Sequence, residues 1–318
     1  MILVTGASGF VGRGLLAELS RRGMAVRGAV RRPPARPLDG ATYTSGTELS
    51  PGSNWEPALA GVETVIHAAA RVHVMNDSVR DPLAEFRRIN VAGTSNLAIQ
   101  AAAAGVRRFV FISSIKVNGE RTVEGRPFVS ADEPSPVDPY GISKWEAEIE
   151  LRRIAAATGL EVAIIRPVLV YGPGVKANVE AMMRWLQRGV PLPLGAIHNK
   201  RSLVALGNLV DLVITCATHP RAAGETFLVS DGEDLSTTAL LQRMAAALGV
   251  SSRLIPVPAS LLRLATRVLG REDLGRRLFE SLQVDITHTR ERLNWTPPLS
   301  MSDALRETAS EFLRRSHG

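Results

Sequence analysis

The chain is poor in cysteine and in aromatic residues, and both shortages exclude classes of protein. Cys216 is the single cysteine in 318 residues, so disulfides within the chain cannot staple a small extracellular fold and a reducing cytoplasm is expected. Aromatic residues make up 5% of the chain and do not alternate with basic residues. The net charge of +7 is therefore not interpreted as a sign of nucleic-acid binding.

Long apolar runs are also missing. No segment approaches the ~18 consecutive apolar residues of a membrane helix. Glycines soon interrupt the apolar residues that begin at Ile2, which does not fit a secretory signal. We therefore expect a cytoplasmic protein that binds neither nucleic acid nor membrane, and we expect no metal site.

Strand-like and helix-like patterns alternate as far as about residue 170. Strands are predicted at 2–5, 25–30, 62–67, 108–113 and 161–166, and helices at 10–22, 82–104 and 140–157. This alternation predicts an α/β fold, a doubly wound parallel sheet of the Rossmann type, over residues 1–170. Residues 171–318 read as a smaller, mainly helical substrate-binding region, with a helix at 179–188 and strands at 201–205 and 226–229, some of which can return to the sheet.

A glycine-rich turn follows the first predicted strand and precedes an amphipathic helix. A pyrophosphate needs close approach to the backbone and free amide groups at a helix N-terminus, and glycines at this spacing supply both. The turn therefore predicts a dinucleotide site, formed by Gly6, Ser8, Gly9, Phe10, Val11 and Gly12. The alternative is a tight turn without a ligand.

The end of the second predicted strand indicates which dinucleotide is bound. An acidic residue there would bind the ribose 2′-hydroxyl of NAD, but this chain has Arg31 and Arg32, and the next acid is Asp39. Paired guanidinium groups suit the 2′-phosphate of NADP. We therefore favour NADP, with NAD as the alternative, unless both arginines are ordinary solvated loop residues.

Tyr140 and Lys144 are four residues apart at the start of a predicted helix, which places them on one face. A phenol normally titrates near ~10, and a neighbouring ammonium and an oxidised nicotinamide both favour the phenolate, so the pair predicts an acid–base tyrosine with a lowered pKa. The preceding strand ends near Ser114, at a distance along the chain that allows Ser114 to meet Tyr140. The alternative is an ordinary surface pair.

An ordered set of motifs resembles the extended branch of the short-chain dehydrogenase/reductase superfamily, which contains nucleotide-sugar epimerases, dehydratases and reductases. The resemblance covers nearly the whole chain and rests on TGASGFVG at 5–12, HAAA at 67–70, ISS at 112–114, YGISK at 140–144, RP at 166–167 and YGPG at 171–174. It implies an NAD(P)-dependent oxidoreductase acting on a UDP-linked sugar. It also suggests a homodimer formed through the helices at 82–104 and 140–157.

The resemblance implies a role for each matching residue. Tyr140 would be the acid/base, Lys144 would assist it and hold the ribose, and Ser114 would bind the reacting oxygen. Further cofactor contacts are implied for His67, Ala68, Ala69, Asn90 and Pro167. Substrate contacts are implied for His73, Lys116, Asn178 and Arg201.

Three departures from the family pattern bear on the reaction. Ile115 and Lys116 replace the Asp-Glu pair of sugar dehydratases, which argues against dehydration. Leu169 and Asn118 stand where many epimerases have Asn and Tyr. Together with the arginine pair, these differences favour reduction of a UDP-4-keto-6-deoxy-N-acetylhexosamine at position 4, as in surface-polysaccharide synthesis. A UDP-hexose 4-epimerase is the first alternative, and a non-catalytic NAD(P)-sensing protein is the second.

Overall fold

The computed structural model describes residues 1–72, 81–270 and 272–316, and contains ten strands and twelve α-helices there. The strands are β1 Ile2–Thr5, β2 Val26–Val30, β3 Ala41–Ser45, β4 Thr64–His67, β5 Arg108–Ile112, β6 Glu161–Pro167, β7 Leu169–Tyr171, β8 Arg201–Ala205, β9 Thr226–Val229 and β10 Asp234–Leu235. The helices are α1 Phe10–Arg21, α2 Glu56–Leu59, α3 Pro82–Phe86, α4 Thr94–Ala103, α5 Pro139–Thr158, α6 Asn178–Gln187, α7 Leu206–Thr218, α8 Thr237–Leu248, α9 Ala259–Val268, α10 Glu272–Phe279, α11 Thr287–Leu293 and α12 Met301–Ser316.

Seven of the described strands form one parallel sheet in the order β3-β2-β1-β4-β5-β6-β9. The strand order reverses between β1 and β4, and this crevice is where doubly wound sheets bind their ligands. The predicted Rossmann-type α/β fold is therefore confirmed. β1 and β4 are buried throughout, as expected for strands covered by helices on both faces.

The core lies on both faces of this sheet. α1 and α7 supply Leu15, Leu16 and Leu209 to one face, and α4 and α5 supply Leu97 and Leu151 to the other. A third buried cluster joins α6, α8 and α12 in the C-terminal part. β7, β8 and β10 form a separate small sheet in the described residues.

β9 pairs with β6, so part of the chain beyond residue 170 belongs to the large sheet. The division into residues 1–170 and 171–318 stays a prediction. None of the helices that the structure describes combines the length and the apolar character needed to cross a bilayer.

β3 and the helix predicted at 82–104 differ from the sequence prediction, and the short elements α2, β7 and β10 were also not predicted. β3 was not predicted because its residues, ATYTS, are mostly polar. The strand lies at the edge of the sheet, where polar residues are common. The single helix predicted at 82–104 is interrupted by a π-helical segment, Arg87–Gly93, between α3 and α4. π-helical turns inside α-helices often accompany functional sites, and this one contains Asn90.

Candidate active site

The glycine turn joins β1 to α1 with almost no space for side chains. Gly6 has a φ of +65°, and a β-carbon there would lie 2.8 Å from the carbonyl oxygen of Ala68. A β-carbon at Gly12 would lie 2.1 Å from the carbonyl oxygen of Gly6. Gly9 caps α1 without a side-chain hydrogen bond, which leaves the first amides of the helix for a ligand. This close-packed backbone cradle fits a dinucleotide pyrophosphate.

The other residues predicted for the cofactor lie around this turn. Ser8 is exposed beside Gly9, and Phe10 and Val11 are half-buried in the first turn of α1. Ala69, after β4, donates its N–H to Thr5 Oγ1 at 3.3 Å, which holds the ends of β1 and β4 together. Their contacts with a cofactor remain a prediction.

Tyr140 and Lys144 lie one turn apart near the start of α5. Asp138 caps this helix by accepting the Gly141 N–H at 2.6 Å, so the position of Tyr140 is fixed by the helix N-terminus. The Lys144 ammonium lies 3.9 Å from the ring centroid of Phe111, on β5. Ser114 follows β5, and its Oγ accepts the Lys116 N–H at 3.2 Å, which leaves the hydroxyl proton free to be donated.

In the chain without a cofactor, burial has the largest effect on the pKa values of Tyr140 and Lys144. It raises the pKa of Tyr140 to about 12, with the negative charge of Asp138 adding to the effect. It lowers the pKa of Lys144 to about 7, opposed by Glu148. In the chain alone, the cost of burying a phenolate therefore keeps the pKa of Tyr140 above its usual value. A lowered pKa with an oxidised nicotinamide bound stays a prediction.

The Lys116 side chain forms ion pairs within the protein. Its ammonium forms an ion pair with Asp138 and lies 3.4 Å from Glu120 Oε1. The pair ties the turn after Ser114 to the start of α5. Lys116 still lines the cavity described below, so its predicted substrate contact would have to compete with Asp138.

Asn90 connects three parts of the site. Its side-chain amide donates to Ser143 Oγ at 3.0 Å and to the Arg71 carbonyl at 3.0 Å, and its Oδ1 accepts the Arg71 N–H at 2.8 Å. Ser143 in turn donates to the Tyr140 carbonyl at 2.8 Å. The buried amide thus holds the chain after β4 against the first turn of α5.

The imidazole of His67 is enclosed between two threonine hydroxyls, so its predicted cofactor contact stays a prediction. The ring is fully buried, with Nδ1 2.7 Å from Thr5 Oγ1 and Nε2 2.9 Å from Thr94 Oγ1. Burial lowers its pKa to about 3, and the Lys144 ammonium contributes. The neutral ring joins β1, β4 and α4, so any contact of His67 with a cofactor would come from its backbone.

Glu148 was missed by sequence reasoning. This fully buried carboxylate accepts hydrogen bonds from Ser113 Oγ at 2.6 Å, from Arg166 Nε at 2.9 Å and from Arg166 Nη2 at 2.7 Å. It therefore ties α5 to β6 and to the residue before Ser114. The available signal was its position four residues after Lys144, which places both on one helix face.

Asn118, which replaces the Tyr of many epimerases, belongs to the same network. Its Oδ1 accepts Arg166 Nη1 at 2.9 Å, and its amide donates to the Val129 carbonyl at 3.1 Å. The side chain is buried and satisfied, so this departure is explained by packing rather than by chemistry.

A cavity of about 590 Å³ brings the catalytic and substrate candidates together. Its lining includes Ser114, Lys116, Tyr140, Lys144, Asn178 and Arg201, together with Val11, Ala68 and Pro167 from the predicted cofactor site. Asn178 is exposed at the start of α6, and Arg201 Nη1 donates to the Glu280 carbonyl at 3.2 Å. Arg31 and Arg32 are exposed after β2, whereas His73 lies outside the described residues.

Comparisons with known proteins find relatives that match most of the chain. The chain is 46% identical over 318 residues to UDP-glucose 4-epimerase from Vibrio cholerae, covering 99% of this chain and 96% of that protein. It is 29% identical over 272 residues to N-acetyl-α-D-glucosaminyl-diphospho-ditrans,octacis-undecaprenol 4-epimerase from Escherichia coli O157:H7, covering 82% and 77%. The solved structure of MoeE5 in complex with UDP-glucose and NAD matches with a TM-score of 0.77 and 26% identity, covering 100% and 99%.

The structure of UDP-glucose 4-epimerase with UDP-glucose from Thermotoga maritima supports the fold, with a TM-score of 0.78, 24% identity and coverage of 100% and 99%. The sequence profile of the NAD dependent epimerase/dehydratase family matches residues 2–230. The chain therefore belongs to the NAD dependent epimerase/dehydratase family.

Proposed function

We propose that this protein is a UDP-hexose 4-epimerase. The observation that carries the proposal is the 46% identity, over almost the full length of both chains, to a UDP-glucose 4-epimerase. The sequence alone favoured a 4-keto reductase, and this relative supports the epimerase alternative better. The cavity that contains Ser114, Tyr140 and Lys144 supplies the chemistry that both reactions share.

The site residues have distinct tasks in this proposal. The glycine turn would hold a dinucleotide, which would supply the hydride acceptor and donor for carbon 4. Tyr140 takes the proton of the 4-hydroxyl as a phenolate, which the positive charges of Lys144 and of an oxidised nicotinamide would favour, and later gives it back. Ser114 donates a hydrogen bond to the same oxygen. Lys144, with a pKa near 7, supplies a positive charge beside the phenol at neutral pH and below.

The cavity wall gives a physical reason for epimerisation. Leu169 is 43% exposed and lines the cavity with Val168 and Val170. Apolar side chains offer no directional hydrogen bonds, so they leave a keto sugar free to turn and present its other face. The leucine that replaces the Asn of many epimerases is therefore compatible with this reaction.

The test uses purified enzyme and UDP-glucose without added cofactor. We expect UDP-galactose to accumulate to equilibrium, and Tyr140→Phe to slow turnover by on the order of 10²–10⁴-fold. Tyr43→Phe is the matched control, because it removes a phenol hydroxyl from the edge strand β3 and should leave turnover unchanged. Net consumption of NADPH with a UDP-4-keto sugar, and no interconversion of UDP-hexoses, would establish the reductase instead.

We also propose that the exposed pair Arg31–Arg32 selects NADP, with NAD, the cofactor in the MoeE5 complex, as the alternative. Replacing both with serine should weaken NADP binding by on the order of tenfold or more and change NAD binding little. Arg126→Ser removes another exposed arginine and serves as the control. Equal affinity of the double variant and the native protein for NADP would show that the pair does not bind the 2′-phosphate.

A further inference from the structure

Helix α9 presents apolar side chains to solvent. Leu261, Leu264 and Val268 are 58%, 60% and 78% exposed, and Ala265 between them is exposed as well. The spacing 261, 264, 265 and 268 places all four on one face of the helix. Leu269, which follows the helix, is 73% exposed. We call these five residues the outer stripe of α9.

The opposite side of α9 already has its partners. Leu262 packs against the buried cluster of the C-terminal part, and Thr266 lies close to Gly275 on α10. The outer stripe is therefore an apolar surface additional to the one that holds the helix in place. Clustered exposed apolar residues of this kind mark surfaces that bind something.

The segment that precedes α9 continues this surface towards the cavity. Ile255 is 49% exposed and its N–H donates to the Leu192 carbonyl at 2.8 Å, so it lies beside the chain that follows α6. On that side Val190 is 43% exposed and Trp185 is 40% exposed. Trp185 also lines the cavity. Exposed apolar side chains thus occur on α9, on the segment before it and at the end of α6, where Trp185 lines the cavity.

The same two stretches of chain are basic. Residues 181–200 and 251–270 contain no Asp or Glu, and their basic residues are Arg184, Arg188, Lys200, Arg253, Arg263 and Arg267. Arg184 is paired with Glu180, and Arg263 donates to the Phe279 carbonyl. Acidic residues return only at Glu272 on α10. Arg188, Arg253 and Arg267 are exposed, so these stretches present positive charge that is complementary to an anionic partner.

The positive charge beside the outer stripe favours a membrane surface over a second copy of this chain. A second copy placed symmetrically on this surface would bring its own arginines against these, and like charges oppose that contact. A bilayer with anionic headgroups matches the arginines and also accepts apolar side chains and a tryptophan at its boundary. We propose that the outer stripe of α9, with Ile255 and Trp185, docks this protein on an anionic membrane surface.

Such docking is peripheral, so it revises the expectation of no membrane contact without requiring a helix that crosses the bilayer. It also places the cavity, through Trp185, close to the headgroups. The proposal does not depend on the epimerase reaction, because it rests on a surface formed by α9 and the segment before it.

The test measures cosedimentation of the full chain with vesicles, without substrate. We expect binding to phosphatidylcholine vesicles that contain about one third phosphatidylglycerol, and on the order of tenfold weaker binding to phosphatidylcholine alone. Raising the ionic strength should weaken binding because exposed charges are screened. The tryptophan fluorescence of the protein should shift to shorter wavelength on binding, because Trp185 is 40% exposed whereas Trp55 and Trp295 are buried.

Val268→Glu and Val123→Glu form a matched pair, because each places a carboxylate at an exposed valine and only Val268 lies on the outer stripe. We expect Val268→Glu to reduce binding to the anionic vesicles by on the order of tenfold and Val123→Glu to leave it unchanged. Both should keep the turnover of the native protein.

Three results would overturn the proposal: no binding to anionic vesicles at low salt, equal binding by the two variants, or a protein dimer in solution that Val268→Glu alone dissociates. The last result would assign the outer stripe to a second copy. Failure of the epimerase assay has no bearing on these outcomes.

Discussion

The buried imidazole of His67 makes the stability of the protein depend on pH. Its folded pKa is about 3, whereas histidine in an unfolded chain titrates near ~6.5. Between these values the unfolded chain binds a proton that the folded protein does not, so the free energy of unfolding falls as the pH is lowered. The loss begins near pH ~6.5, is complete only near pH 3, and amounts to about 2 kcal/mol between pH 7 and pH 5.

His67→Gln isolates this contribution. Glutamine does not titrate, and its amide can still bond Thr5 and Thr94. Urea unfolding followed by circular dichroism at pH 5, 6 and 7 should show the native protein losing about 2 kcal/mol more than the variant over this range. Comparing slopes removes the constant cost of the substitution itself.

His198→Gln, which removes an exposed imidazole, is the control and should keep the native slope. Parallel pH dependences for native protein and His67→Gln would refute the reasoning, because they would mean that the ring accepts a proton in the folded state.

Three further predictions follow from the site and the surface around it. Gly12→Ala should abolish dinucleotide binding in a fluorescence titration, because its β-carbon would lie 2.1 Å from a carbonyl oxygen of the same turn, whereas Gly52→Ala, in open space, should bind normally. Glu148→Gln should lower the pKa of Lys144 further below its usual value and move the alkaline limb of the kcat profile to lower pH, by on the order of one unit; an unchanged profile would remove Glu148 from the proton chemistry. The homodimer proposed through α4 and α5 should dissociate in Ile149→Asp, measured by light scattering, because Ile149 is 44% exposed on α5; a native protein that is already monomeric would contradict it.

The spacing of residues along the sequence correctly predicted those parts of the site that lie within one helix, strand or turn. The glycine turn, the helix that carries Tyr140 and Lys144, and the strand before Ser114 are all found where the sequence indicates. Each depends on neighbours a few residues away. β3 was missed because an edge strand needs fewer apolar residues, and edge position is a property of the whole sheet.

Long-range partners decided the roles of individual side chains. Lys116 was predicted to bind substrate, but Asp138, 22 residues further along, pairs with it. The ring of His67 lies between hydroxyls 62 residues before it and 27 residues after it, which the sequence around His67 does not indicate. Glu148 is part of the site because Arg166 and Ser113 donate hydrogen bonds to it, and these contacts exist only in the folded chain.

The α/β fold, the glycine-rich turn and the Tyr140–Lys144 pair could be predicted from sequence, because helix periodicity, buried strands and glycine spacing act over short stretches of chain. Tertiary structure decided which charged groups are buried, and burial sets the pKa of Lys144 near 7 and that of Tyr140 near 12. It also decided that the apolar side chains of α9 face solvent. Amphipathic spacing shows that a helix has an apolar face, but only the packing of its neighbours shows whether that face is covered.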